Sequence, residues 1–493
     1  MLNRVDPLKI GQNHSEIRAK LDHPVVDGDG HAIEYGPAFF EYLQQVAGPD
    51  VVARYRQRLE DGGWYRMSAQ ERLYKRVVRP TSWGLPAQNT LDRATAMLPK
   101  LLRKRLDEFG IDFTVVYSTL ALPLLQEEDD ELRRAGCRAL NVMFADLYAD
   151  QSDRMTPAAV IPCHTPQEAI EELEYAVKTL GFKVAMFNTS VRRPVPIVAK
   201  EAPQWARYAT WVDCLCMDGP YDYDPLWQKC VELKVAVTSH SGGRGGSRVV
   251  TNHYIYNHVG SFAAGGESFA KGVLLGGVSK RFPTLNFAFL EGGVAWAAEL
   301  YAGLVGHCGK RHPGVIASLD PKNIDLQYLA DLIGEYGQGV AAGKPDPRSD
   351  FARWPGGWHW ADDGIIAEEL ANIGIRGAED LRPLFEENFY FGCEADDPLV
   401  SSAFNTRSNP FGATLKAIFS SDLGHWDVTD MSEVLEEAHE LVEHDVITAS
   451  QFRDFVYTNP VSLHARMNPD FFKGTVIERD VAQLLASTES QKK

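Results

Sequence analysis

Short apolar runs that stop abruptly at polar residues recur along the chain. Most are followed by segments whose apolar positions return every three or four residues. The first run is Val25–Val26, which leads into Asp27-Gly28-Asp29-Gly30-His31. Next come GIDFTVVYSTLAL (Gly110–Leu122), TPAAVIPCHTP (Thr156–Pro166), FKVAMFNTS (Phe182–Ser190) and VAVTSHSGG (Val235–Gly243). LNFAFLEGG (Leu285–Gly293), NFYFGCEADD (Asn388–Asp397) and KAIFSSDLGHWD (Lys416–Asp427) complete the series. Apolar runs of this length, bounded by glycine, proline and small polar residues, predict strands. The segments between them read as helices. EEDDELRRAGCRALNVMFADLYAD has an acidic start, and in QEAIEELEYAVKTLG the flanking Thr165 and Gly181 are placed as N-cap and stop.

Alternating strands and helices predict a parallel α/β fold, and eight units predict a closed (β/α)8 TIM-like barrel. A doubly wound sheet competes, but its first turn should read G-x-G-x-x-G, which DGDGHAIE does not. The 493 residues then divide into a leader (1–22), a barrel (23–430) and a C-terminal helical tail (431–493). Two long insertions, at about 35–104 and 311–384, are expected near the barrel mouth.

Composition narrows the function classes. Hydrophobic residues make up 44% and charged residues 24%, a globular balance. A formal net charge of −17 without any long Lys/Arg run disfavours nucleic acid and anionic membranes as partners. No window approaches the ~20 apolar residues of a membrane span, and the N-terminus has no apolar core of signal-peptide length. Seven scattered cysteines do not form a disulfide pattern, so a cytoplasmic location is expected.

The chemistry lies at the strand ends. Asp29 and His31 end the first strand two residues apart, so an extended segment points both to one side. His240 ends the fifth barrel strand, Glu291 the sixth, Glu394 the seventh and Asp422 the eighth, with His425 and Asp427 just beyond. Some of these have plainer readings: Asp27 as a turn residue or N-cap, Glu34 as a first-turn helix acid, Glu394 and Asp396 as loop solvation. Collected at one barrel face, however, so many buried acids and imidazoles call for a cation, and a divalent metal is expected. Arg244 in HSGGRGGS is placed to hold a substrate carboxylate. Trp296, with Trp83, Trp354, Trp358, Trp360 and Trp426, suggests a partly apolar pocket for a small organic substrate.

Asp-x-His after the first strand, TSHSGG, LEGGVAW and SSDLGHWD together resemble the amidohydrolase superfamily. The closer similarity is to its amidohydrolase-related branch, which includes metal-dependent aryl decarboxylases. The resemblance runs from about Val25 to Asp427 and is weak within the two insertions. It implies that Asp29 and His31 stand where the superfamily often has His-x-His, and that His240 is the strand-five ligand. Asp422 would bind metal and move a proton. The sequence departs from the pattern at Glu291, where a histidine is usual, and in lacking a lysine at the end of the fourth strand; Lys183 opens that strand and Asn188 closes it.

The implied activity is metal-dependent hydrolysis of a C–N or C–O bond, or decarboxylation of a small organic acid, with Asp422 and His240 in the catalytic set. Metal ligands are drawn from Asp29, His31, His240, Glu291, Asp422 and His425, with zinc, manganese or iron as the ion and two ions possible. An iron or iron/manganese monooxygenase with a dinuclear centre is the first alternative, and a non-catalytic partner subunit the second. A homo-oligomer is expected, with the apolar helix WAAELYAGLVG as a candidate interface.

Overall fold

The computed structural model describes residues 14–491 except 62, 82–88, 241–248, 312–322, 340, 342, 345–347, 349–369 and 372. Eight parallel strands form one sheet in the order β1-β2-β3-β4-β7-β8-β9-β10. They are β1 (Val26–Ala32), β2 (Phe113–Ser118), β3 (Met155–Ile161) and β4 (Val184–Phe187), then β7 (Val237–His240), β8 (Phe287–Leu290), β9 (Phe389–Glu394) and β10 (Lys416–Ser420). Each falls on an apolar run named above, and helices alternate with them. Asp129 caps the helix Asp130–Tyr148. Thr165 caps Pro166–Glu174 through a reciprocal capping box with Glu168. A hairpin of β5 (Val191–Pro194) and β6 (Thr210–Asp213) lies outside this pattern and has no counterpart in the sequence reading.

The ring of strands is closed by a carboxylate. β1 and β10 form no regular ladder, but Asp29 O accepts from Asp422 N (3.1 Å) and Leu423 O accepts from His31 N (2.8 Å). Between them lies Asp27. Its Oδ1 accepts from Asp29 N (3.1 Å) and Ser421 N (2.9 Å). Its Oδ2 accepts from the hydroxyls of Thr114 and Ser421, both at 2.7 Å. Asp27 is therefore a buried staple across β2, β1 and β10, and the turn or N-cap role expected for it is replaced by this one. Gly30 leaves room for the staple: a Cβ there would sit 2.7 Å from Asp27 Oδ2.

The outer face of β8 and β9 packs Phe287, Phe289 and Phe389 edge-on against one another and against Phe269, at 5.4–6.4 Å between ring centres. The C-terminal tail meets the opposite end of the barrel from the strand termini that carry the acids and histidines. There Phe472 packs on Phe113 at 5.2 Å and Phe471 O accepts from Lys183 Nζ at 2.8 Å. Asn459 and Asn286 tie the tail helices to β10 and to the start of β8.

The chain separates into two compact units, Met1–Leu300 with Leu384–Lys493, and Tyr301–Pro383. The barrel strands all belong to the first. The second contains the helix Leu326–Tyr336, capped by Asp325. Among the described residues no helix is long and apolar enough to cross a membrane, and all seven cysteines are free thiols.

Candidate metal centre

Six side chains named from the sequence meet at the C-terminal ends of β1, β7, β8 and β10. Asp29, His31, His240, Glu291, Asp422 and His425 are all buried. His240 bridges two acids, with Nε2 2.7 Å from Asp29 Oδ1 and Nδ1 3.2 Å from Glu291 Oε2. His31 Nε2 lies 3.5 Å from Asp29 Oδ1 and 3.4 Å from Asp422 Oδ1. His425 Nδ1 lies 2.7 Å from Asp422 Oδ1 and 3.4 Å from Glu291 Oε1. The His31 and His425 rings stack at 3.7 Å, and the His240 ring stands edge-on to His31 at 4.7 Å.

The backbone places these groups at some cost. Glu291 directly follows β8 and Asp422 lies two residues past the end of β10, and both take a left-handed φ, 62° and 51°. A non-glycine residue adopts that region only when its surroundings hold it there. Two residues past Asp422, Gly424 has φ 99°, and a Cβ on it would lie 2.7 Å from His31 O. The glycine of SSDLGH thus lets the β10 loop touch β1.

Burial and mutual charge set the protonation states. Burial raises Asp422 to about 7, against the pull of His425 and with the push of Glu291 and Asp29. Burial likewise raises Asp29, opposed by His240. Burial works against a charged His240, yet Asp29 and Glu291 outweigh it and lift the ring to about 10. His31 goes the other way: burial, then the charges of His425 and His240, hold it well below its usual range. Glu394, at the end of β9, is pushed up to about 9 by burial and by Asp422 and Glu291, a more enclosed setting than the loop solvation expected for it.

Several ligand atoms in the cluster have no hydrogen bond among the described residues: Asp29 Oδ2, both ring nitrogens of His31 and both carboxylate oxygens of Asp422. Buried polar atoms are rarely left this way. Ligand atoms of His31, Glu291, Asp422 and His425 lie within 4.8 Å of one another, as do those of Asp29, His31 and His240. Carboxylate oxygens and imidazole nitrogens at such spacing match the ligand preferences of zinc, manganese and iron. The residues fit a divalent ion, and the two sets share His31.

Other expected residues fall differently. Arg244, Trp83, Trp354, Trp358 and Trp360 lie outside the described residues. Trp296 packs edge-on to Phe289 (5.7 Å) and Phe391 (5.4 Å), with a buried indole N–H that has no hydrogen bond among the described residues. Glu34, expected as a helix acid, instead accepts from Ser118 Oγ (2.5 Å) and Leu120 N (3.0 Å) at the end of β2. Asp427 lies 3.6 Å from His258 Nε2.

Two residues escaped the sequence reading. Arg79, in the first insertion, stands 5.2 Å from the rings of both Trp64 and Tyr254, and its Nε is buried with no hydrogen bond among the described residues. Its carbonyl accepts from the fully buried Asn257 at 2.7 Å, which pins the insertion to the loop after β7. Thr119 Oγ1 lies 3.0 Å from His425 Nε2. An arginine in a polar insertion and a threonine after a strand carry no signal in a single sequence.

A barrel whose first, fifth, sixth and eighth strands end in acids and histidines defines the class, and comparison agrees: residues 45–333 match the amidohydrolase family model, so the chain belongs to the amidohydrolase family. Among curated proteins it is similar to gamma-resorcylate decarboxylase of Polaromonas sp., 31% identical over 124 residues, 24% of this chain and 36% of that protein. The matched segment thus spans about a third of the relative's length. Among solved structures the chain is similar to a dihydroxybenzoic acid decarboxylase from Polaromonas sp. with bound manganese and 2-nitroresorcinol, at 16% identity and TM-score 0.45, covering 90% of this chain and 97% of that one. It is also similar to 5-carboxyvanillate decarboxylase from Novosphingobium aromaticivorans, at 13% identity and TM-score 0.44, covering 90% and 96%.

Proposed function

We propose that the chain is a metal-dependent enzyme that decarboxylates a small aromatic or enolic acid, or hydrolyses a C–N or C–O bond in one. The observation that carries the reading is the convergence of six buried acids and imidazoles, with Asp29 Oδ2, both nitrogens of His31 and both oxygens of Asp422 lacking hydrogen bonds among the described residues. Membership of the amidohydrolase family and the partial similarity to gamma-resorcylate decarboxylase support it. Asp29, His31, His240 and Asp422 are the ligands we assign first, with Glu291 and His425 completing the set.

A divalent ion supplies Lewis acidity and neutralises carboxylate charge when bound. The chain's own groups do the rest. Asp422, a buried carboxylate at the end of β10 beside His425, is placed to hold or release a proton. In decarboxylation it delivers the proton that replaces departing carbon dioxide on the substrate carbon. In hydrolysis it takes the proton of the attacking water and passes it to the leaving group.

Elemental analysis of protein purified without added metal tests this directly, followed by assays of carbon dioxide release from hydroxybenzoates and of amide and lactone hydrolysis. About one zinc, manganese or iron per chain with either activity is expected. Protein that binds no metal would overturn the reading.

One observation favours a second reading. Two ligand sets sharing His31, one including Glu291, suit two ions and the oxygen chemistry of a dinuclear iron centre. Two ions per chain, iron among them, with oxygen consumption would favour it. A Glu291→Ala variant that keeps its metal and its activity would count against it.

A further inference from the structure

We infer that Thr119, clamped by Glu34, is a positioning residue that fixes the His425 ring with its Nε2 proton turned away from the metal centre and its Nδ1 lone pair turned into it. This rests on the reading that the cluster holds a divalent ion.

A neutral imidazole has one N–H, and the partner of one nitrogen decides what the other can do. His425 Nε2 faces Thr119 Oγ1 at 3.0 Å. Its Nδ1 faces the cluster, 2.7 Å from Asp422 Oδ1. A proton kept on Nε2 by the threonine oxygen leaves Nδ1 as an acceptor, which is the form a metal requires. A proton on Nδ1 would point at Asp422 instead and block that site.

Thr119 is held from several directions. Its N–H donates to Ala32 O at 3.1 Å, one residue beyond His31. On either side of it, Ser118 Oγ and Leu120 N donate to the two oxygens of Glu34, at 2.5 and 3.0 Å. Ser118 Oγ in turn accepts from Ala121 N at 3.0 Å. Glu34 lies three residues past His31, so the turn that delivers the β1 ligands also fixes the threonine that orients His425. Neither Glu34 nor Thr119 belongs to the proposed ligand set.

The test is manganese binding to metal-stripped protein, read by electron paramagnetic resonance of free Mn(II), for wild type, Thr119→Val and Thr119→Ser. Loss of a hydrogen bond of this kind typically weakens metal binding about 10–100-fold. We expect that loss for Thr119→Val and near wild-type binding for Thr119→Ser. Equal binding by wild type and Thr119→Val, or equal weakening by both variants, would overturn the inference. Wild-type protein that binds no manganese would instead overturn the proposed function. Should Thr119→Val fail to fold, nitrogen-15 spectra of zinc-loaded wild type decide: a proton on Nε2 of His425 is expected, and a proton on Nδ1 is fatal to the idea.

Discussion

Single carboxyl groups at the strand ends differ because their surroundings differ. Asp422 sits beside His425 and is raised to about 7, whereas burial with the push of Asp422, Glu291, Asp427 and Asp396 raises Glu394 to about 9. The proton role assigned to Asp422 predicts that Asp422→Asn lowers turnover about 10²–10⁴-fold, checked by steady-state kinetics with the metal content measured alongside. For Glu394 the folded value exceeds the unfolded one. Its stabilising contribution is therefore complete below the unfolded pKa near 4, and is lost as pH rises from there through about 9. Metal-free Glu394→Gln should then melt with less dependence on pH between about 5 and 9 than metal-free wild type, by calorimetry. Identical pH dependence in the two proteins would contradict the assigned environment.

Among the elements, barrel strands such as β2, β4 and β8 were legible because both their faces are covered and the sequence becomes a mostly apolar run. The β5–β6 hairpin was not: VRRP and TWVD are partly exposed, pair only with each other and carry no apolar run. The side chains of the cluster were legible because they end those strands. Asp27 was misread because its partners, Thr114 and Ser421, stand 87 and 394 residues away, and no local pattern reports them. The staple has a measurable worth. Asp27→Ala leaves two backbone N–H groups and two hydroxyls without their acceptor, each such loss costing roughly 1–3 kcal/mol where water cannot substitute. A drop of several degrees in melting temperature is expected, with the β1–β10 seam losing amide protection first in hydrogen exchange. Uniform loss of protection across the barrel would assign the seam no special part.

For the molecule as a whole, metal and fold should be linked. A ligand that binds only the folded chain adds about 2.7 kcal/mol at a concentration one hundred times its dissociation constant. Here it would also relieve the crowding of Asp29, Glu291 and Asp422. Chelation is therefore expected to lower the melting temperature and manganese or zinc to restore it in a concentration-dependent way, followed by scanning calorimetry. A melting temperature indifferent to both would contradict a bound ion.

The left-handed backbone at Glu291 bears on how this protein could be engineered. A residue with a β-carbon pays for that conformation on the order of 1–2 kcal/mol, and glycine does not. Glycine at this position would relieve the backbone but would also take a carboxylate from two buried imidazoles, His240 at 3.2 Å and His425 at 3.4 Å, a loss of comparable size. The residue that looks easiest to idealise is therefore one a thermostabilising design should leave alone, seeking its gains away from the strand ends.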